Sequence, residues 1–154
     1  MIWGSEALHE WALKGGIYPF DHKCVNPASI DLRISNEIKR FGAIEIERKN
    51  SFMLYPGEGL LASTIEYIKM PSNAAGALYL KSTMGRKGLD HCLAGWIDPG
   101  FEGSITLELH AHKVITLYPG ERVIQLVLMD VSACEPYCGR YQFQKGVTDY
   151  RPEK

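Results

Sequence analysis

Cysteine is scarce in this 154-residue chain: there are four. Cys24, Cys92, Cys134 and Cys138 are too irregularly spaced for a disulfide framework. Cys134 and Cys138 form a C-x3-C pair, but no second pair of matching spacing completes a zinc site. All four therefore read as reduced thiols of a cytoplasmic protein. An excess of either charge is also missing, with 17 Lys and Arg against 18 Asp and Glu and a net charge of −1. A dedicated binder of nucleic-acid polymers needs clustered cations to displace counterions, so that class is disfavoured. A small anionic ligand needs only a few local charges and stays open. No apolar run approaches membrane-spanning length. The N-terminal Met1-Ile-Trp-Gly-Ser-Glu6 lacks the basic and apolar regions of a secretion signal. These features predict a cytoplasmic location (host cytoplasm, if the source is a virus) and no membrane partner.

What is present is an ordinary globular composition, 45% hydrophobic and 23% charged, long enough for one domain with a substantial core. A short helix is predicted at about residues 5–14. Ser5 is the candidate N-cap, Leu8, Trp11 and Ala12 share a face, and Gly15-Gly16 is the stop. Almost everything afterwards reads as strand and turn. Ile30–Ile34 and Ala43–Glu47 alternate, and Gly76–Leu80, Ser104–Leu109, Val114–Leu117 and Val123–Met129 are further candidate strands. The turn Leu54-Tyr-Pro-Gly-Glu58 recurs as Leu117-Tyr-Pro-Gly-Glu121, which reads as two related corners of one β-sandwich or jelly roll. The expected organisation is a β domain over residues 1–136 and a polar, aromatic tail over 137–154 that behaves as a flexible arm.

Three clusters could carry chemistry. On the strand Ser104–Leu109, alternation places Ile105, Leu107 and Leu109 on one face. Ser104, Thr106, Glu108, His110 and His112 share the other. A carboxylate held against a protein wall can acquire a raised pKa and shuttle protons. Asp98 lies in the Asp-Pro-Gly turn that leads into this strand, so the two carboxylates could order and activate a water. His110-Ala-His112 has the H-x-H form used by metal-binding barrels. The next carboxylate, Glu121, lies nine positions on and beyond a turn, so two surface histidines is the favoured reading. Second, Lys81-Ser-Thr-Met-Gly-Arg-Lys-Gly-Leu89 gathers cations, hydroxyls and glycines suited to a triphosphate. The Walker order is absent, and on composition alone this stretch is equally a basic surface loop. Third, Gly139-Arg-Tyr-Gln-Phe-Gln-Lys-Gly146 could close over a base and phosphates, or could be an ordinary terminus.

In this order the three clusters resemble the dCTP deaminase family, a branch of the trimeric dUTPase superfamily. The resemblance is carried by Lys81–Leu89, by Ala94–Glu108 with its core Ile97-Asp-Pro-Gly-Phe101, by Arg122-Val-Ile-Gln-Leu126 and by Tyr141-Gln-Phe-Gln144-Lys-Gly146. Pro27-Ala-Ser-Ile-Asp-Leu-Arg33 adds an early segment. It implies a mostly β, dUTPase-like distorted β-barrel or jelly roll with a short N-terminal helix. It also implies a hydrolase that deaminates dCTP to dUTP in pyrimidine deoxynucleotide metabolism. Glu108 would be the general acid/base, and Asp98 would bond the deoxyribose 3′-OH or orient water. Lys81, Ser82, Thr83, Arg86, Thr106, Tyr137, Arg140 and Gln144 would contact substrate, with Ser82 and Arg86 reaching across a subunit boundary. Arg140, Tyr141 and Gln144 would form the closing tail. Mg²⁺ would be held through the triphosphate, with no protein metal ligands, and dCTP or dUTP would bind at the interfaces of a homotrimer.

The chain is more compact than familiar bacterial members, and Thr83 replaces a usual Ser. Gly95-Trp96 resembles the bifunctional members, which deaminate dCTP and cleave the product to dUMP and diphosphate. Deamination alone, dual activity and dUTPase activity alone all remain open. Glu108, and Phe101 in place of a Tyr that would exclude a ribose, weigh against the last. A non-catalytic nucleotide-binding regulator is the reading from another class, and the intact Ser82, Arg86, Asp98 and Glu108 set weighs against it.

Overall fold

The computed structural model describes residues 1–92 and 94–153; Leu93 and Lys154, the last residue of the expected tail, lie outside the described residues. The opening helix α1 spans Ser5–Trp11, and its buried stripe is Leu8 and Trp11, continued by Ala12. Gly4 rather than Ser5 takes the N-cap position, with no side-chain cap bond. The reason is the way the chain enters: the Ser5 amide donates to the Pro27 carbonyl at 2.9 Å, which draws Ser5 into the first turn. The helix then widens into a π-turn over Ala12–Gly16, where Gly15 adopts φ +87. That left-handed conformation suits glycine and ends the helix.

Strands follow in order. They are β1 Ile17–Tyr18, β2 Val25–Asn26, β3 Ser29–Arg40, β4 Glu47–Arg48, β5 Phe52–Leu54 and β6 Gly59–Lys69. After these come β7 Ala74–Leu80, the six-residue helix α2 Ser82–Lys87, β8 Leu89–His91 and β9 Trp96–Ile97. β10 Glu102–Ala111, β11 Ile115–Leu117 and β12 Arg122–Asp130 complete the set. The large sheet runs β8-β10-β6-β3-β12-β7-β9, with β1 on β6 and β2 and β4 on β3. It curls into a half-barrel, and the mostly β expectation with one short N-terminal helix holds. Its concave side is filled by Ile30, Leu32, Ile34, Leu107, Leu109, Ile124 and Leu126, all buried.

The repeated Leu-Tyr-Pro-Gly-Glu turns are one local device used twice. β5 and β11 pair in a two-stranded sheet, Leu54 opposite Ile115 and Phe52 opposite Leu117, so each turn leaves one of these paired strands. In each turn the Glu carboxylate accepts from the Tyr amide, Glu58 from Tyr55 at 2.7 Å and Glu121 from Tyr118 at 3.1 Å. One expected strand does not form. A turn at residues 41–42 and a bend at 44–45 replace the strand, and only Glu47–Arg48 pairs. Gly42 at φ +83 turns the chain out of the sheet and leaves Ile44 93% exposed, so the alternation there meets no core. Among the described residues no helix is long and apolar enough to cross a membrane.

Candidate active site

From Ile105 onward β10 places its side chains as the alternation predicts, whereas Ser104 is buried beside a register shift between Ser104 and Thr106. Ile105, Leu107 and Leu109 are buried, whereas Thr106, Glu108 and His110 are half-buried on the other face. That polar face forms one wall of a cleft of about 570 Å³, a size suited to a small-molecule ligand. Glu108 and Thr106 come from β10, Leu61 from β6, and Trp96, Ile97 and Asp98 from β9 and the turn after it. The fourth side is the tail, through Tyr137, Tyr141, Gln144 and Thr148–Tyr150.

Glu108 is the unusual group. Its side chain is 31% exposed, but Oε2 is fully buried and has no hydrogen-bond partner among the described residues. The atom facing it is His91 Nε2, 3.7 Å away, equally buried and unpartnered. The contact follows from strand pairing, since β8 lies beside β10 with His91 opposite Leu109. Burial pushes the Glu108 carboxyl above its ordinary range and the His91 imidazole below its own. A carboxyl so placed is suited to giving and taking protons.

Asp98 is exposed in the Asp-Pro-Gly turn, and its Oδ1 accepts from the Trp96 indole N–H at 3.0 Å. Gly95 lets this strand lie against β7. Its carbonyl accepts from the Leu78 amide at 2.7 Å, and a Cβ there would stand 2.8 Å from the Leu78 carbonyl oxygen. The pair Gly95-Trp96 therefore divides a local role, with glycine permitting the close approach and tryptophan holding Asp98.

The tail runs back along the start of β10. The Gln144 carbonyl accepts from the Ser104 amide at 2.9 Å, and its side-chain amide donates to the Ser104 carbonyl at 2.8 Å. Gln142 joins Glu102 and Gly100, and the Tyr137 amide donates to Pro99 at 2.8 Å. Thr106 receives the Thr148 amide on its hydroxyl at 3.2 Å, and Asp149 pairs with Lys39 at the cleft mouth.

The remaining sequence-predicted residues stand elsewhere. Lys81 caps α2 and pairs with the buried Asp31 at 2.6 Å, while Ser82, Thr83 and Arg86 are exposed on that helix. Arg140 pairs with Glu153 at 2.6 Å and bonds the Arg151 carbonyl, away from the cleft. The cleft's described lining contains the carboxylates Asp98, Glu108 and Asp149, and no Lys or Arg. Sequence reasoning placed Asp98, Thr106, Glu108, Tyr137 and Gln144 together. It did not find His91 beside Glu108, because the signal is a cross-strand register that no local pattern displays. Among the described residues no group of three or more His, Cys, Asp or Glu is arranged to hold a metal ion. His110 and His112 meet ring to ring at 5.4 Å, with Asp90 3.6 Å from His112.

A curled, mostly β half-barrel sheet with one short helix defines a class, that of the dUTPase-like folds. Within it, the chain belongs to the dCTP deaminase-like family, whose model matches residues 4–131. It is 40% identical to a dUMP-forming dCTP deaminase of Corynebacterium glutamicum, over 86% of this chain and 85% of that protein. The fold is similar to the crystal structure of the dCTP deaminase from Agrobacterium tumefaciens, with a TM-score of 0.76 at 18% identity. That likeness covers 84% of this chain and 48% of the other, so the chain spans about half that protein's length. A dUTPase of the S. aureus phage phi11, described with a structural Mg(II) ion, is similar at TM-score 0.53 and 15% identity over 75% of this chain and 84% of that one.

Proposed function

We propose that this protein is a hydrolase that deaminates dCTP and carries the product on to dUMP and diphosphate. The observation that carries the reading is Glu108, a carboxyl desolvated in the wall of the cleft with one oxygen buried and the other edge open to a ligand. The dUMP-forming activity named for the C. glutamicum relative supplies the particular reaction.

Cytosine lies against the apolar wall with C4 towards Glu108. The carboxylate takes a proton from the water that attacks C4 and passes it to the leaving ammonia. The C4–N bond breaks as the C4–O bond becomes the uracil carbonyl, with the water's second proton ending on N3. Asp98, held by Trp96, bonds the deoxyribose 3′-OH or orients water. Tyr137, Tyr141 and Gln144 keep solvent out from the tail side.

The triphosphate needs cations that this cleft does not itself offer. We assign that role to Arg86 of a second copy, with the Ser82 and Thr83 hydroxyls beside it as hydrogen-bond donors and Arg140 joining after the tail re-seats. Among the described residues Arg86 is exposed and makes no ion pair, so its charge is free for a phosphate. Mg²⁺ fits this site as a companion of the triphosphate, because it keeps most of its waters and favours phosphate oxygens over all-protein cages. When bound it would offset phosphate charge and polarise the bond that is cleaved.

Incubation of the purified protein with dCTP and Mg²⁺ should release ammonia and accumulate dUMP, resolved by chromatography. Accumulation of dUTP would reduce the assignment to deamination alone. Cleavage of dUTP with no ammonia from dCTP would leave a plain dUTP diphosphatase. Shared sites have their own test. Arg86→Ala and Glu108→Gln subunits, each inactive alone, should recover activity when mixed and re-annealed.

A further inference from the structure

His91 has no role in the chemistry proposed so far, yet it is buried beside the Glu108 carboxyl. It is 6% exposed, and its Nε2 is fully buried without a partner among the described residues. A buried polar atom left unpaired costs about 1–3 kcal/mol, so two such atoms facing each other call for an explanation. Glu108 Oε2 is the second, at 3.7 Å. That separation is a few tenths of an ångström beyond a hydrogen bond, and such contacts often tighten only when substrate binds. The Glu108 side chain lines the cleft and is 31% exposed although Oε2 is buried, so Oε1 is the oxygen open to the cleft.

We propose that His91 is a positioning residue for the reaction: its Nε2–H donates to Oε2 of Glu108, locks the carboxylate's orientation and leaves Oε1 to take the proton from water. The proposal rests on the assignment of Glu108 as the proton carrier. The logic is that of a histidine or carboxylate backing a catalytic group, where one edge is tied so that the other is aimed.

Among the described residues, His91 is the group that faces the buried Glu108 Oε2. On β8 the neighbouring titratable group is Asp90, whose carboxylate accepts from the His91 amide at 2.8 Å. Cys92, next along, binds the Glu108 carbonyl through its amide at 3.0 Å. On β6 the residue opposite Glu108 is the apolar Leu61. On β10 itself the neighbours on the same face are Thr106 and His110. Asp98, Tyr137, Tyr141, Asp149 and Tyr150 line the same cleft from its other walls. None of the acidic groups can favour an ionised Glu108, and His91 can.

The test is the pH profile of dCTP deamination for wild type, His91→Leu and His91→Gln. Gln carries an amide N–H at about the reach of Nε2. His91→Leu should lower kcat at neutral pH roughly ten- to a hundredfold, the rate equivalent of one charge-assisted hydrogen bond. The acidic limb should move to higher pH, the loss should fade in alkaline solution, and KM should hardly change. His91→Gln should restore most of the rate. A loss uniform across pH, a limb that moves down, or a Gln variant no better than Leu would overturn the proposal. If His91→Leu does not fold, nitrogen NMR of labelled wild-type protein decides: the proton must sit on Nε2 at neutral pH, and a proton on Nδ1 alone contradicts the proposal. Glu108→Gln separates the two levels. If it still deaminates, the assignment of Glu108 has failed; if it is dead and the His91 profile is unmoved, only the role of His91 has.

Discussion

Glu66 and Glu108 are glutamates on adjacent strands, β6 and β10, and burial pushes both carboxyls up. Their surroundings then diverge. Glu66, 1% exposed, is gripped by Arg33: the guanidinium Nε donates to Oε1 at 2.6 Å and the Arg33 amide to Oε2 at 2.8 Å. These bonds pull its pKa back down against the desolvation. Glu108 has no cation beside it among the described residues, and its buried oxygen meets only a neutral imidazole. A carboxylate with both oxygens bonded to one arginine can hold strands together but has little to give a substrate. A desolvated carboxylate with one free edge stabilises nothing and can move protons. In this molecule the partner, more than the depth of burial, separates a structural acid from a reactive one.

The comparison can be broken where it makes opposite claims. The largest stability effect belongs to Glu66. Glu66→Gln strands the Arg33 charge in a partly buried site, and should cost about 3–5 kcal/mol, the range for breaking one partner of a buried ion pair. A denaturant midpoint measures it. A loss under about 1 kcal/mol, the scale of an exposed pair, would mean that Arg33 finds Asp21, 3.9 Å away, as a sufficient substitute.

Glu108, with no Lys or Arg paired to it among the described residues, strands no such charge when it is replaced. Its folded-state pKa lies above the ordinary 4.5, so the folded state holds this proton more tightly than the unfolded chain does. Its contribution is most favourable below pH 4.5 and is lost as pH rises through the folded pKa. Glu108→Gln, which cannot ionise, should therefore unfold later than wild type at about pH 7–8, with the gap closing towards about pH 4. Denaturant titrations of both proteins across that range check the sign. A Glu108→Gln protein that is less stable than wild type at about pH 8 would contradict the picture of an unpaired acid.

The smallest effect concerns Asp98. Trp96→Phe removes the indole donor and leaves the ring. One exposed hydrogen bond is worth about 0.5–1.5 kcal/mol, so kcat/KM for dCTP should fall roughly two- to tenfold. Gly95→Ala should do more damage than Trp96→Phe, because its Cβ would be driven towards the Leu78 backbone. Steady-state kinetics of the two variants rank them.

The parts of the site that the sequence makes legible are those set by local geometry. Period-2 alternation on β10 aims Glu108 and Thr106 at one side, and the Asp-Pro-Gly turn fixes Asp98 close by. Both repeated Tyr-Pro-Gly-Glu turns are readable for the same reason. Contacts made by strand order are not. Nothing local says that β8 packs beside β10 and brings His91 to Glu108, or that β3 and β6 bring Arg33 to Glu66. Ala43–Glu47 shows the converse error, in which an alternating pattern without a facing core folds as a bend. The resemblance-based roles of Ser82, Thr83 and Arg86 are of a third kind, because within one chain these residues stand outside the cleft lining.

The central claim, that Glu108 moves the protons of dCTP deamination, is tested most directly by ammonia release from dCTP with Glu108→Gln protein whose dCTP binding is verified by calorimetry. The account predicts binding close to wild type with the deamination rate down by roughly 10²–10⁴-fold, the usual contribution of a general acid–base group. Ammonia release within a few-fold of wild type would contradict it.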